Sequence, residues 1–200
     1  MGVMATARHR PGLHRAWLVL IAIAVVALAV LIFGPQRGRE EYPAAPATIE
    51  LMSEVFVNNG RIPERYTCDG GNVSPPLSWE GVPAEAKSLV LIVVDPDAPG
   101  GEFTHWVLYD VPPDLSGLPE GVPAAGEVEG IGVQGVNDFG RLGYGGPCPP
   151  PGKAHRYFFR LYALDVKLGL APGASRSDVE DAMSGHVLAV GELVGLYERG

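Results

Sequence analysis

Hydrophobic and polar positions fall into three regimes along this chain. From Trp17 to Phe33 no charged or polar residue occurs, and the run extends to Ala16 and Gly34. At about 1.5 Å of rise per residue, a helix of this length spans roughly the hydrocarbon core of a bilayer. It has no amphipathic stripe, so it reads as a transmembrane helix and not as a core helix. Residues 35–48 are Pro-rich, charged and without apolar periodicity, the pattern of a linker. From Ile49 the pattern becomes strands and turns. Ile49–Val57 is a candidate strand ending at the turn signal Asn58-Asn59-Gly60. Ser88–Val94 is a continuous apolar run, predicting a strand buried on both faces. Thr104–Val111, Tyr157–Asp165 and Val190–Glu198 are further strands rich in β-branched and aromatic residues. One short helix is predicted, with Ser175 as its cap, Asp178 three residues on, and Val179, Ala182 and Met183 as its apolar stripe. Most of the 27 Gly and 19 Pro lie in the loops between strands. The pattern predicts a mainly-β, two-sheet domain over 49–200.

Charge gives this organisation a direction. The first 34 residues hold three of the 15 Lys and Arg (Arg8, Arg10 and Arg15) and none of the 23 Asp and Glu. That leaves 12 basic against 23 acidic residues, a net of −11, for the rest. Basic charge in residues 1–15 places the N-terminus in the cytoplasm and the β domain outside, although Arg37 and Arg39 oppose this. Phe33-Gly34-Pro35-Gln36-Arg37 is a poor cleavage site, so residues 16–34 are read as an uncleaved signal-anchor. The alternative is a secreted protein cut near Ala45-Pro46-Ala47. A domain this acidic is a poor partner for nucleic acid or for an anionic lipid surface. Its expected membrane contact is the anchor alone. In an exported domain the only two cysteines, Cys68 and Cys148, are compatible with one disulfide or with two free thiols.

Candidate chemistry gathers around residues 144–159. Pro147, Pro149, Pro150 and Pro151 fix φ and remove backbone donors, while Gly145, Gly146 and Gly152 permit conformations that other residues avoid. A loop stiffened in this way presents its side chains repeatably. It leads into a strand on which alternation places His155 with Tyr157 and Phe159, and Arg156 on the opposite face. The same rule places His105 with Val107 and Tyr109, and Trp106 with Leu108 opposite. Asp95-Pro96-Asp97-Ala98-Pro99 follows the apolar strand and sets a carboxylate at the sheet edge. If these strands are neighbours, Asp95, Asp97, His105, His155 and Tyr157 converge on a polar pocket. Imidazolium, Tyr hydroxyl and glycine N–H groups suit a small anion, and a carboxylate orients an imidazole.

Asp95-Pro96-Asp97-Ala98-Pro99, His105-Trp106, Gly145-Gly146-Pro147 and His155-Arg156-Tyr157 resemble the signature of the phosphatidylethanolamine-binding protein family. The bacterial, Raf kinase inhibitor-like branch is the nearest match. Thr67-Cys68-Asp69-Gly70, Ser74–Trp79, Asn137-Asp138-Phe139-Gly140 and Gly185–Ala189 agree with it, so the resemblance covers about residues 50–198 in order. It implies a sandwich of two antiparallel sheets with one or two short helices and an anion pocket at one end. Carried over by position, the pocket is Asp95, Asp97, His105, Gly146, Pro147, His155 and Tyr157. Trp79 and Trp106 are expected in the core and His186 outside the pocket. The membrane helix is not implied by the family.

The leading expectation is a membrane-tethered module that binds a phosphate-bearing or other small anion, without catalysis. No Gly-x-Ser-x-Gly elbow is present and neither cysteine has an evident base. No cofactor is expected, and no His-x-x-x-His spacing points to a metal. Two alternatives compete with this reading. One is a protein-interaction or inhibitor module acting on a kinase or protease, and the other is a phosphoester hydrolase using the carboxylates and histidines.

Overall fold

A computed structural model describes residues 49–200 of the chain. The basic N-terminal segment, the expected anchor at 16–34 and the linker at 35–48 lie outside the described residues. Among the described residues no helix is long and apolar enough to cross a membrane.

The uninterrupted apolar run becomes the central strand of the larger sheet. Among the described residues ten strands form: β1 (Glu50–Met52), β2 (Gly60–Arg61), β3 (Leu77–Glu80), β4 (Ser88–Asp95), β5 (Phe103–Val111), β6 (Gly117–Leu118), β7 (Glu127–Val128), β8 (Gly132–Gln134), β9 (His155–Leu164) and β10 (Val187–Tyr197). Seven make one sheet in the order β2-β10-β9-β4-β5-β8-β7, and β1-β3-β6 make the other. All pairings are antiparallel except β2 with β10, which corrects the expectation of two purely antiparallel sheets. The predicted strand Ile49–Val57 is also shorter, because regular pairing with β3 ends at Met52. The other four predicted strands form with their ends shifted by a few residues.

The small sheet closes one face of the large one. Leu51, Leu77, Trp79 and Leu118 pack into a single core with Leu89, Leu91, Val93, Trp106, Leu108, Phe159 and Leu161. Val90, Ile92, Val107, Tyr109 and Tyr162 on the opposite face are just as completely buried. That second face is covered by the 165–175 segment and by helix α1 (Arg176–Met183), which contributes Val179 and Met183. The Tyr109 hydroxyl donates to the Ala171 carbonyl, and Asp110 accepts the Leu168 and Gly169 N–H groups. Burial on both sides is the physical reason that β4 shows no alternation. Helix α1 starts as its sequence predicts. Ser175 and Asp178 exchange side-chain and backbone hydrogen bonds in a complete capping box.

Gln134 is the polar exception inside this packing. It is fully buried, accepts from the Trp106 indole N–H and donates to the Pro123 and Ala125 carbonyls. Replacing it by Ala strands the buried Trp106 indole N–H and removes the bonds that hold the Pro123 and Ala125 carbonyls. The expected result is a loss of about 3 kcal/mol in urea unfolding with unchanged strand content by circular dichroism.

Candidate functional site

Strands β4 and β9 are paired up to Val94 and Phe158 and then separate. Two carboxylates from the turn after β4 bridge the opening. Asp95 Oδ2 accepts from His155 Nδ1 at 2.7 Å, with both side chains buried. Asp95 Oδ1 accepts the Asp97 N–H at 2.8 Å, which closes the Asp-Pro-Asp turn on itself. Two residues on, Asp97 grips Arg156, accepting from its backbone N–H, from Nε at 2.8 Å and from a terminal guanidinium nitrogen at 2.7 Å. This fork holds the Asp97 carboxyl down at about 2. The 95–99 turn is therefore tied to the first two residues of β9.

His105 reaches the same place by a different route. Val93 pairs with Trp106 but Val94 pairs with Thr104, so β5 carries one extra residue, a β-bulge. Alternation predicts that His105 shares a face with Val107 and Tyr109; the bulge overturns this. The imidazole instead lies 5.1 Å from the Tyr157 ring and 5.4 Å from the Phe139 ring, on the Asp95 side. Its Nδ1 is 2.6 Å from the Gly145 carbonyl oxygen. A carbonyl only accepts, so Nδ1 carries the proton and Nε2 is left for the cavity. Burial pushes the His105 pKa down, with the Gly145 carbonyl opposing it. The imidazole is accordingly neutral at neutral pH.

The Gly/Pro loop supplies the facing wall. Gly146 approaches the Tyr66 carbonyl so closely that a Cβ would sit 2.5 Å from that oxygen. Its N–H donates to Asn72 Oδ1 at 2.7 Å, and the Pro147 carbonyl accepts the Cys68 N–H. Cys68 and Cys148 are joined in a disulfide. Asn137 shapes the neighbouring 137–143 loop by donating to the Gly143 carbonyl and accepting from Phe139 and Arg141 N–H groups. Phe139 is thereby set edge-on to His105 and Phe103.

The result is a cavity of about 260 Å³ lined by Asp95, Ala98, Pro99, Phe103, His105, Phe139, Cys148, Pro149, Pro150 and His155. Of the seven residues singled out in the sequence, Asp95, His105 and His155 line it. Tyr157 lies beneath, fully buried, its hydroxyl without a hydrogen bond of good geometry. Burial and the nearby Asp95 carboxylate raise the Tyr157 pKa. Asp97, Gly146 and Pro147 stand behind the walls, their polar groups engaged by Arg156, Asn72 and Cys68. The apolar lining (Phe103, Phe139, Pro149 and Pro150) carried no chemical signal of its own in the sequence. Phe103 pairs with Asp95 across β4 and β5, a relation that the sequence of neither strand shows.

Residues 52–198 match the phosphatidylethanolamine-binding protein family over most of the described domain. The chain belongs to this family. Among curated relatives, a UPF0098 protein of Methanothermobacter thermautotrophicus is 62% identical over 152 residues, covering 76% of this chain and all of the relative. A UPF0098 protein of Pyrococcus horikoshii is 51% identical over 183 residues, covering 90% and 89%. Two crystal structures share the fold. The phosphatidylethanolamine-binding protein homologue CT736 of Chlamydia trachomatis has a TM-score of 0.70 at 44% identity, covering 76% of this chain and 99% of its own. E. coli YbcL, described as a member of the mammalian family, has a TM-score of 0.69 at 34% identity, covering 77% and 100%. Trp79 and Trp106 are core residues, as expected for the family, while His186 is half-exposed and paired with Asp165.

The Asp97–Arg156 fork ties the 95–99 turn to β9, so its removal has a defined pH signature. The Asp97 carboxyl titrates lower in the fold than in the unfolded chain. Its stabilisation is complete above about pH 4 and is lost as the pH falls through about 2. Arg156 is half-exposed, so solvent screening limits the effect. Arg156→Gln is expected to cost about 1 kcal/mol at neutral pH. The difference from wild type should disappear in urea titrations run below the Asp97 pKa.

Proposed function

We propose that the 49–200 domain binds a small anion, phosphate or a phosphate-bearing headgroup, and that residues 16–34 tether it to the membrane on the extracytoplasmic side. The observation that carries the binding reading is the pairing of two buried imidazoles across one cavity. Each has Nδ1 occupied, by Asp95 in one case and Gly145 in the other, so each offers Nε2 to a ligand. No Lys or Arg is among the residues lining the cavity. Positive charge there comes from protonated imidazole, and apolar walls strengthen each hydrogen bond by excluding water. The name of the family supports a phospholipid headgroup as one such ligand. No reaction is assigned to the site, and the ligand is expected as its only small-molecule partner.

Binding an anion beside a neutral His105 draws a proton onto it. Burial lowers the pKa of the free protein's imidazole, and a bound anion raises it. Affinity for sulfate, whose own charge is constant in this range, is therefore expected to rise about tenfold from about pH 8 to about pH 6. Phosphate and phosphoethanolamine, titrated in parallel by NMR, distinguish a free anion from a headgroup. His105 and His155 ring resonances that stay unmoved at millimolar ligand would refute the reading. His155→Ala is expected to abolish binding by all three probes.

The tether has its own test. Full-length protein is expected in the membrane fraction and a variant lacking residues 1–34 in the soluble fraction. Recovery of the full chain in the soluble fraction, with residues 16–34 absent by mass, would establish cleavage instead.

A further inference from the structure

We infer that the Cys68–Cys148 disulfide is a redox-modification site that sets the shape of the pocket, a thiol-operated latch on its proline wall. Cys148 lines the cavity and is exposed, while Cys68 behind it is only half-exposed. The loop is fastened unevenly about this bond. Upstream, Tyr144 donates to the Tyr66 carbonyl, Gly145 exchanges bonds with His105, Gly146 donates to Asn72, and the Pro147 carbonyl accepts from Cys68. Downstream, β-pairing resumes only when His155 meets Tyr197. Between them, among the described residues, positions 149–154 make no hydrogen bond to the rest of the domain, and Pro149 and Pro150 line the cavity. Four of these six residues cannot serve as regular ladder partners, being Pro149, Pro150, Pro151 and the left-handed Gly152 at φ 100°. The disulfide is therefore the tether of the wall nearest the ligand.

The chemistry is an exchange with a dithiol reductant. A thiolate of the reductant attacks the exposed Cys148 Sγ, the S–S bond breaks, and its electron pair leaves on Cys68 as a thiolate. The reductant's second thiolate then displaces Cys148 from the mixed disulfide. The protein gains two electrons and, on protonation, two thiol protons, while the reductant becomes a disulfide. Upstream contacts survive this, so His105 and the 144–147 segment stay in place. The 149–154 stretch is freed, and the cavity loses one side. A preorganised wall lowers the ordering entropy of binding, and its release weakens binding without touching the histidines.

This proposal uses the anion-binding reading for one of its two readouts. The experiment compares full-length oxidised protein, dithiothreitol-reduced protein with thiols counted by Ellman's reagent, and the Cys68→Ser/Cys148→Ser variant. Phosphate affinity is expected to fall about tenfold on reduction and to be low, and insensitive to dithiol, in the double variant. Trypsin cleavage after the exposed Lys153 is expected to speed up about tenfold on reduction, with the remaining sites unchanged. Equal Lys153 cleavage in both redox states would overturn the latch, whatever phosphate does. Oxidised protein that fails to bind phosphate, yet shows redox-dependent cleavage at Lys153, would remove the anion reading and leave the latch. Faster cleavage at all sites on reduction would mean global unfolding and would also overturn the proposal.

Discussion

The buried pair between Asp95 and His155 is the constraint on which the site depends. Two strands that are hydrogen-bonded along most of their length part company at Val94 and Phe158, and a carboxylate and an imidazole 2.7 Å apart span the gap. A charge in this position is tolerable only because each partner satisfies the other and Asp95 accepts a further N–H from Asp97. Removing either partner would leave the other's polar group buried without compensation. The same pair fixes the imidazole's tautomer and aims Nε2 at the cavity. One hydrogen bond thus both closes the gap between the strands and sets which imidazole nitrogen faces the cavity.

The rest of the pocket is built by loops that are held from behind. Asp97 spends its carboxylate on Arg156, Gly146 its N–H on Asn72, and Pro147 its carbonyl on Cys68. These groups shape the cavity through the position of its walls. Their bonds convert a stretch rich in glycine and proline into a surface with one shape, as the close approach of Gly146 to Tyr66 requires.

How far this was legible in the sequence depends on periodicity. The long strands and the helix were readable because β4 is continuously apolar, β9 alternates, and Ser175 and Asp178 form a capping box. Strands β2, β6 and β7 were not, since two residues carry no period and are defined only by their neighbours. At the site, alternation placed His155 beside Tyr157 and Arg156 opposite. It failed at His105, because a bulge is a property of two paired strands and one strand's sequence does not show it. The two-sided burial of β4 was visible, but the covering 165–175 segment was not, as its backbone groups are satisfied by Asp110 and Tyr109 far away in sequence.

Charge explains why the pocket takes this form in this domain. The chain from residue 35 onward carries a net of −11, so its long-range field repels anions. Attraction must then be local, arising within a few ångströms and shielded from the acidic surface. A lysine or arginine lining the cavity would be drawn into pairs with surrounding carboxylates, as Arg156 is with Asp97. His105, held by the Gly145 carbonyl, is not captured in that way. Burial keeps the His105 imidazole neutral at neutral pH, and its Nδ1 bond to the Gly145 carbonyl holds its orientation. On the proposed anion-binding reading, this arrangement needs no permanent cation on the cavity wall.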